Sequence, residues 1–386
     1  MKRLAILTIS SHNYMSYGLD CLLSAKRFNE DADVYYLVAD KFTEEYYKDY
    51  SDRITFLSLE QLGLSDTELK NIEFKYNIIE FNTCVKPLAL QYLLNKGYNT
   101  AIYLDPDIEC YSSFDGFLDE IKDKNIAVTP HKMSPVESEV IEDRLFLNNG
   151  IFNLGFIAVN NTKVTFDFLK WWDERLRDRC FIDYEHGLAT DQIWVELAST
   201  IFEGFHITRN TGMNVAYWNI HERKLNKRNG KYYMDDYPLL FFHFSSLSIG
   251  CKKEFLDHMC KNADGFMDFY NEHIEEVKKC DFDKFHSIQY SFGNYSDNSV
   301  IDKNDRWLFG YSLELQKKFD NPFNMESDNC YKKYISTRKL ASYMHPNSKN
   351  DKLKIMLIKF FGLRRALLKI NRISVTRSVA GMIEEV

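Results

Sequence analysis

Apolar positions in the first 250 residues fall into two alternating patterns. Short unbroken runs are separated by stretches in which apolar residues recur every three or four positions. The runs Leu4 to Ile9, Val34 to Val38, Ile54 to Leu57 and Ala101 to Leu104 predict buried strands. The stretches Tyr14 to Phe28, Glu44 to Tyr50, Glu68 to Glu80 and Lys86 to Lys96 predict the helices between them. Strands alternating with helices argue for a parallel sheet with helices on its faces. Beyond them the pattern predicts strands over Ile126 to Thr129 and Phe152 to Val159, and helices over Val164 to Arg177 and Thr190 to Leu197. Two late strands are expected at Tyr232 to Met234 and Leu239 to Phe242. The strand pattern ends near Gly250. After Lys252 only helical periodicity remains, over Glu254 to Lys278, Trp307 to Phe319 and Lys352 to Lys369, with an Asn-, Ser- and Asp-rich connector from Ser287 to Asp305. The expected organisation is an α/β domain over residues 1–250 and a helical region over 251–386.

The run Ala101-Ile102-Tyr103-Leu104-Asp105-Pro106-Asp107-Ile108 drives an apolar strand into two aspartates one residue apart. Residues just past the carboxyl end of a strand in an open α/β sheet face the ligand crevice. Positions i and i+2 of an extended chain share a side, so Asp105 and Asp107 can reach one cation. Hard oxygen ligands of this kind suit Mg²⁺ or Mn²⁺ carrying a phosphate. The competing reading is an ordinary Asp-Pro-Asp turn with solvated acids.

Other polar residues fall at predicted strand ends, each with a plain structural explanation beside the functional one. Thr8, Ser10 and Ser11 close the first strand and Asp40 the second; they suit a base and ribose or simple helix capping. Lys86 opens a helix, where a cation opposes the dipole, and this points to an anionic partner such as phosphate. Asn149, Gly150, Asn153 and Gly155 lead into a buried strand, with amides that suit sugar hydroxyls or a plain turn. Asp191 and Gln192 follow Thr190, the expected N-cap, so Asp191 either caps a first turn or projects toward a substrate hydroxyl. Asn214, Trp218, Asn219 and His221 follow, with Trp218 and Tyr217 as walls of an acceptor pocket or as core. His243 ends an aromatic strand as a core histidine or a third metal ligand.

Length and composition leave this picture intact. The 386 residues allow one large or two ordinary domains. The eight cysteines show neither a C-x-x-C pair nor zinc-type spacing, so a reducing cytoplasm fits and a disulfide scaffold does not. No run reaches the roughly 18 apolar residues of a spanning helix. The net charge of -7 hides an asymmetry, because residues 331–378 hold thirteen Lys and Arg against the single acid Asp351.

In this order, the D-x-D at Asp105 and Asp107, the Asn149 to Gly155 strand entry, the Asp191-Gln192 pair and the late His243-Phe244-Ser245 resemble bacterial glycosyltransferases of the GT-A fold, in the neighbourhood of family 8. The likeness covers roughly the first 250 residues. It implies a Rossmann-like mixed sheet flanked by helices and a mainly helical C-terminal region. Asp105, Asp107 and His243 would hold Mn²⁺ or Mg²⁺ on the diphosphate of a nucleotide sugar, most often UDP-linked. Lys86 would sit near the phosphates or donor sugar, with Thr8, Ser10, Asp40 and Asn149 on the donor side and Asn214 and Trp218 on the acceptor side. Asn153, Asp191 and Gln192 are the expected catalytic residues. The implied reaction moves a hexose to a glycan acceptor of cell-surface polysaccharide or glycoconjugate synthesis. The likeness leans toward retention, and Asp191 is the candidate base if the reaction inverts. The departure is at Ser245 to Gly250, where the family has a glycine after the histidine motif and a lysine nearby; here Lys252 and Lys253 come later. A sugar nucleotidyltransferase, a nucleotide-sugar hydrolase and a non-catalytic sugar-binding protein remain the alternatives.

The basic tail mixes cations with large apolar residues over Lys352 to Lys369, which reads as an interfacial amphipathic helix or as a helix docked on protein. The first reading places a cytoplasmic enzyme on the inner membrane face, beside a lipid-linked glycan acceptor. Nucleic acid is not an expected partner, because the tail lacks the aromatic interleaving that single strands require. An oligomer stays open.

Overall fold

The structure, a computed structural model, describes residues 2–135 and 141–337. The chain divides into two compact units, Met1–Leu62 with Asn82–Tyr290, and Gly63–Phe81 with Ser291 onward. The first unit therefore runs past residue 250 and takes in the helices that follow. The basic tail over Lys352 to Lys369 lies outside the described residues, and no described helix is long and apolar enough to cross a membrane.

The first unit is built on a mixed seven-stranded sheet with flanking helices. Six of its strands matter here: β1 (Lys2–Ser10), β2 (Asp33–Val38), β3 (Thr55–Leu57), β4 (Tyr98–Leu104), then β6 (Ile126–Pro130) and β7 (Phe152–Asn160), with the short β5 (Ile108–Cys110) outside the sheet. The order across the sheet is β3-β2-β1-β4-β7-β6, closed by Phe205–Ile207. β1 runs parallel to β2 and β4, whereas β7 runs antiparallel to both β4 and β6. The parallel sheet expected from alternation alone is corrected here. β7 is buried along all but its last residue, and a strand covered on both faces carries no alternation from which direction can be read.

Two connections position the site. β4 ends at Leu104, the chain turns through Asp105 to Asp107, and β5 then pairs antiparallel with Phe241–His243, so that His243 lies opposite Ile108. The amide of Phe244 donates to the carbonyl of Asp107 at 2.7 Å. At the far side of β4, the amide of Asp105 donates to the carbonyl of Gly155 at 2.8 Å, which joins the acidic turn to the start of β7.

Several helices are shorter than their periodicity suggests. The segment expected as one helix over Glu68 to Glu80 is two, Asp66–Lys75 and Ile78–Cys84, because Tyr76 is extended. The first opens on a full capping box between Ser65 and Glu68. Glu254 to Lys278 likewise breaks into Lys253–Asn262 and Phe266–Lys279 around Gly265, which has φ +74°. Trp307 to Phe319 breaks at Ser312, whose side chain caps Leu313–Lys318, and Glu44 to Tyr50 holds only the 3₁₀ turn Glu44–Tyr46. In the second unit, Phe74, Tyr295, Phe309 and Tyr331 form the core. Beside them Arg306 donates to the carbonyls of Phe74 at 2.6 Å and Tyr76 at 2.9 Å.

Candidate functional site

Asp105, Asp107 and His243 converge at the carboxyl end of β4. His243 Nε2 lies 3.0 Å from Asp107 Oδ1 and 3.6 Å from Asp105 Oδ2. One ligand atom from each residue lies within 4.8 Å of the others. The acids keep some access to solvent, with side chains 28% and 15% exposed, while His243 is buried at 4%. Burial works against a charged imidazole, but the attraction and hydrogen bond of Asp107, followed by Asp105, prevail and raise the His243 pKa. Burial raises the pKa of Asp105 against the opposing pull of Lys86 and His243. Burial would also raise Asp107, yet His243 outweighs it and the pKa is lowered.

The imidazole is held from behind. His243 Nδ1 meets Asn214 Oδ1 at 3.1 Å, which places a proton on Nδ1, so that Nε2, facing the acids, is the nitrogen free to bind a cation once its own proton is displaced. Asn214 in turn donates to Thr129 Oγ1 at 2.7 Å and to Asn153 Oδ1 at 2.9 Å. It adopts φ +49°, in the left-handed region that Asn enters more readily than other non-glycine residues. Asn153 Oδ1 also accepts the amide of Gly155 at 3.1 Å, and Asn153 Nδ2 meets His131 Nε2 at 3.2 Å. Gly155 is required by the same packing. A Cβ there would fall 2.4 Å from His243 Cε1 and 2.8 Å from His243 Nδ1. The close approach that the glycine permits is therefore to the histidine ring.

Lys86 and Asp191 form a second buried layer. Lys86 Nζ donates to Asp191 Oδ2 at 2.6 Å and to the carbonyl of Leu154 at 2.8 Å, and it sits 4.1 Å from the centre of the Tyr103 ring. Lys86 is 1% and Asp191 2% exposed, so the anionic partner signalled by a lysine at a helix start lies within the chain. Thr190, expected as the N-cap, has φ +52° and precedes the capping residue Asp191, because the turn from Leu188–Ala189 into Gln192–Ile201 needs a left-handed step. Trp172 Nε1 donates to the Asp191 carbonyl at 3.1 Å and fixes that turn. Gln192 Nε2 donates to the Asn149 carbonyl at 2.6 Å, and Asn149 Oδ1 accepts from Tyr184 at 2.6 Å.

Most of the remaining residues singled out in the sequence are bonded locally. Thr8 Oγ1 donates to the Leu104 carbonyl at 2.8 Å, and Ser10 Oγ meets Ser11 and Tyr36. Asp40 accepts the amide of Lys41 at 2.8 Å and lies 3.3 Å from His12 Nδ1. Trp218 is 6% exposed and lies edge-on to His243 at 5.1 Å and His131 at 5.5 Å. Its indole N–H has no hydrogen-bond partner among the described residues. Lys252 is exposed, 3.7 Å from Glu254.

Sequence reasoning missed Tyr103 and His131. The Tyr103 hydroxyl donates to Asp105 Oδ1 at 2.6 Å, a contact that period-two alternation puts on one face. His131 left no signal, since its neighbours come from β7 and from the Asn214 turn. As a donor set, two carboxylates and a tautomer-fixed imidazole fit a divalent cation of the Mn²⁺ or Mg²⁺ class.

No protein-family model matches the chain. An uncharacterized protein of Bacillus subtilis (strain 168), YfnD, is 26% identical over 253 residues, covering 64% of this chain and 79% of YfnD. Among solved structures, the galactosyltransferase LgtC in complex with donor and acceptor sugar analogs is 13% identical with a TM-score of 0.45, covering 71% of this chain and 95% of LgtC. Mouse xyloside xylosyltransferase 1 is 13% identical with a TM-score of 0.38, covering 62% of this chain and 97% of its own. The glycosyltransferase GlyE of Streptococcus pneumoniae TIGR4 is 14% identical with a TM-score of 0.35, covering 55% of this chain and 46% of GlyE.

Proposed function

We propose that this protein is a metal-dependent glycosyltransferase of the GT-A kind that moves a hexose from a nucleotide sugar, UDP-linked by preference, to a glycan acceptor. The observation that carries the reading is the convergence of Asp105, Asp107 and the Asn214-oriented His243 at the end of β4. Supporting it, every candidate residue belongs to the first unit, and Ser10, Asp105 and Asn153 lie at or beside strand ends of its seven-stranded sheet.

Asp105, Asp107 and His243 would hold the cation, which when bound supplies positive charge against a leaving diphosphate. The chain's own residues do the rest. Tyr103 orients Asp105 by its hydroxyl, and Asn214 holds His243 in the ligating tautomer. The ends of β1 and β2, with Ser10 and Asp40, are read as the nucleoside side. Asn153 and Gln192, at the mouth of β7, are read as contacts to the transferred sugar. Trp218, with an unsatisfied indole N–H beside His243, is read as part of the acceptor wall, where exclusion of water favours transfer over hydrolysis. The Asp191 carboxylate is committed to Lys86 at 2.6 Å. That pairing suits a fixed charge near the transferred sugar better than a free base, and it supports retention over inversion.

The test is a thermal-shift screen of nucleotide sugars with and without Mn²⁺, because ligands that bind the native state raise its melting temperature by mass action. Metal-dependent stabilisation by a UDP-sugar, followed by release of UDP on adding a glycan acceptor, is the expected result. Pyrophosphate release would instead identify a nucleotidyltransferase, and the absence of any nucleotide-sugar effect would refute the reading.

A further inference from the structure

A second cluster of metal-ligating side chains lies inside the same unit and takes no part in the proposed reaction. Asp20 is on the helix Met15–Phe28, Glu109 is on β5, and His273 is on the helix Phe266–Lys279. All three are buried, at 4%, 5% and 1% exposure. His273 Nδ1 lies 2.9 Å from Glu109 Oε2 and 3.5 Å from Asp20 Oδ2. These spacings repeat, to within 0.1 Å, the 3.0 and 3.6 Å of His243 with Asp107 and Asp105. Ligand atoms about 2.1 Å from a tetrahedral ion are separated by roughly 3.4 Å, so the cluster is already near the edge lengths of such a site.

Two further observations point to a ligand. Asp20 Oδ2 is buried and has no hydrogen-bond partner among the described residues, its nearest polar neighbour being the candidate ligand His273 Nδ1 at 3.5 Å. The set also offers two carboxylates to one imidazole, a donor set whose charge a divalent ion beside a neutral imidazole brings to zero. The Tyr111 hydroxyl donates to Glu109 Oε2 at 2.8 Å, an outer contact of the sort that orients metal-binding carboxylates. Glu109 and Tyr111 line a groove of 1220 Å³ whose walls carry six acids, Glu109 and Glu272 among them, against three cations. Such a field concentrates cations.

We propose that Asp20, Glu109 and His273 form a second, internal site for a zinc-like divalent cation. It binds the helix Phe266–Lys279 to the strand that follows the Asp105–Asp107 turn. The His273 ring also stacks on Phe244, 3.6 Å between centres and 4° from parallel, so an ion here steadies both backbone segments that carry the first metal set.

The experiment uses the full chain, freed of metal by chelator and titrated with Zn²⁺ alone under calorimetry, with elemental analysis after dialysis. About two ions per wild-type chain are expected, and about one in Asp105→Ala/Asp107→Ala, where that ion should still raise the melting temperature. Adding His273→Gln or, separately, Asp20→Asn to that double variant should remove the remaining ion, with circular dichroism confirming a native fold. A double variant that folds and binds no ion would overturn the proposal. So would an ion that survives both added substitutions. None of these outcomes depends on whether the protein transfers a sugar.

Discussion

Gly155→Ala tests how closely the metal set depends on its packing. A Cβ at this position would stand 2.4 Å from His243 Cε1, with Asn153 Oδ1 also only 2.8 Å away. Carbon atoms in ordinary contact stand at least about 3.5 Å apart, so the imidazole must retreat by roughly 1 Å. The ring is trapped, with Asn214 on its Nδ1 and Trp218 edge-on at 5.1 Å. The retreat therefore pulls Nε2 away from Asp107. Ligand distances are set to about 0.2 Å, and disturbing the supports of a metal ligand costs about 10- to 100-fold in affinity. Overpacking should add about 1–3 kcal/mol of destabilisation. Calorimetric titration with Mn²⁺ reads the first quantity and urea unfolding the second. Gly116→Ala is the control, since nothing lies within 4 Å of its Cβ; it should leave Mn²⁺ affinity unchanged. Wild-type Mn²⁺ affinity in Gly155→Ala would refute the claim that the glycine exists to admit the histidine.

Asp105→Ala and Asp107→Ala should each abolish metal-dependent transfer while the circular dichroism spectrum stays native; activity of either in EDTA-treated buffer would remove the cation from the mechanism. Because Mn²⁺ must displace a proton that the two acids help His243 to hold, its affinity should fall as pH falls through a histidine pKa raised above the ordinary value of about 6.5, measured by titration at a series of pH values. Lys86→Ala strands the Asp191 carboxylate and should cost about 3–5 kcal/mol in denaturant unfolding, while Lys86→Met with Asp191→Leu should recover most of that loss. Burial lowers the His131 pKa to about 4. A folded pKa below the unfolded value of about 6.5 gives stability that is present above pH 6.5 and lost toward pH 4, about 3 kcal/mol in all. His131→Gln should flatten that part of the stability-against-pH curve.

The strand pattern made most of the sheet legible, and it did so because each apolar run is covered by helices. Strand direction was not legible for β7, whose two faces are equally apolar. The Asp105–Asp107 turn was readable because strand alternation and the strand-end rule act over a few residues. Tyr103 obeys the same alternation and was within reach. His243 was readable as a core histidine or a third ligand at the end of an aromatic strand, and the resemblance favoured the ligand; physically it reaches the turn through the ladder of β5 with Phe241–His243, which local periodicity does not encode. Asp20, Glu109 and His273 were unreadable for the same reason, since three separate elements bring them together. Lys86 was read from its place at a helix start as facing an anion such as phosphate; in the structure it pairs with Asp191, 105 residues along the chain, which local pattern does not encode.

The antiparallel course of β7 has an architectural consequence. One strand leaves the sheet at Leu104 and its neighbour enters at Phe152, so the two halves of the cleft share a single ladder, Leu104 against Phe156. Geometry at the reaction centre is thus inherited from backbone pairing, and a one-residue insertion ahead of Phe156 would turn Asn153 and Gly155 to the opposite face while leaving every loop length nearly intact.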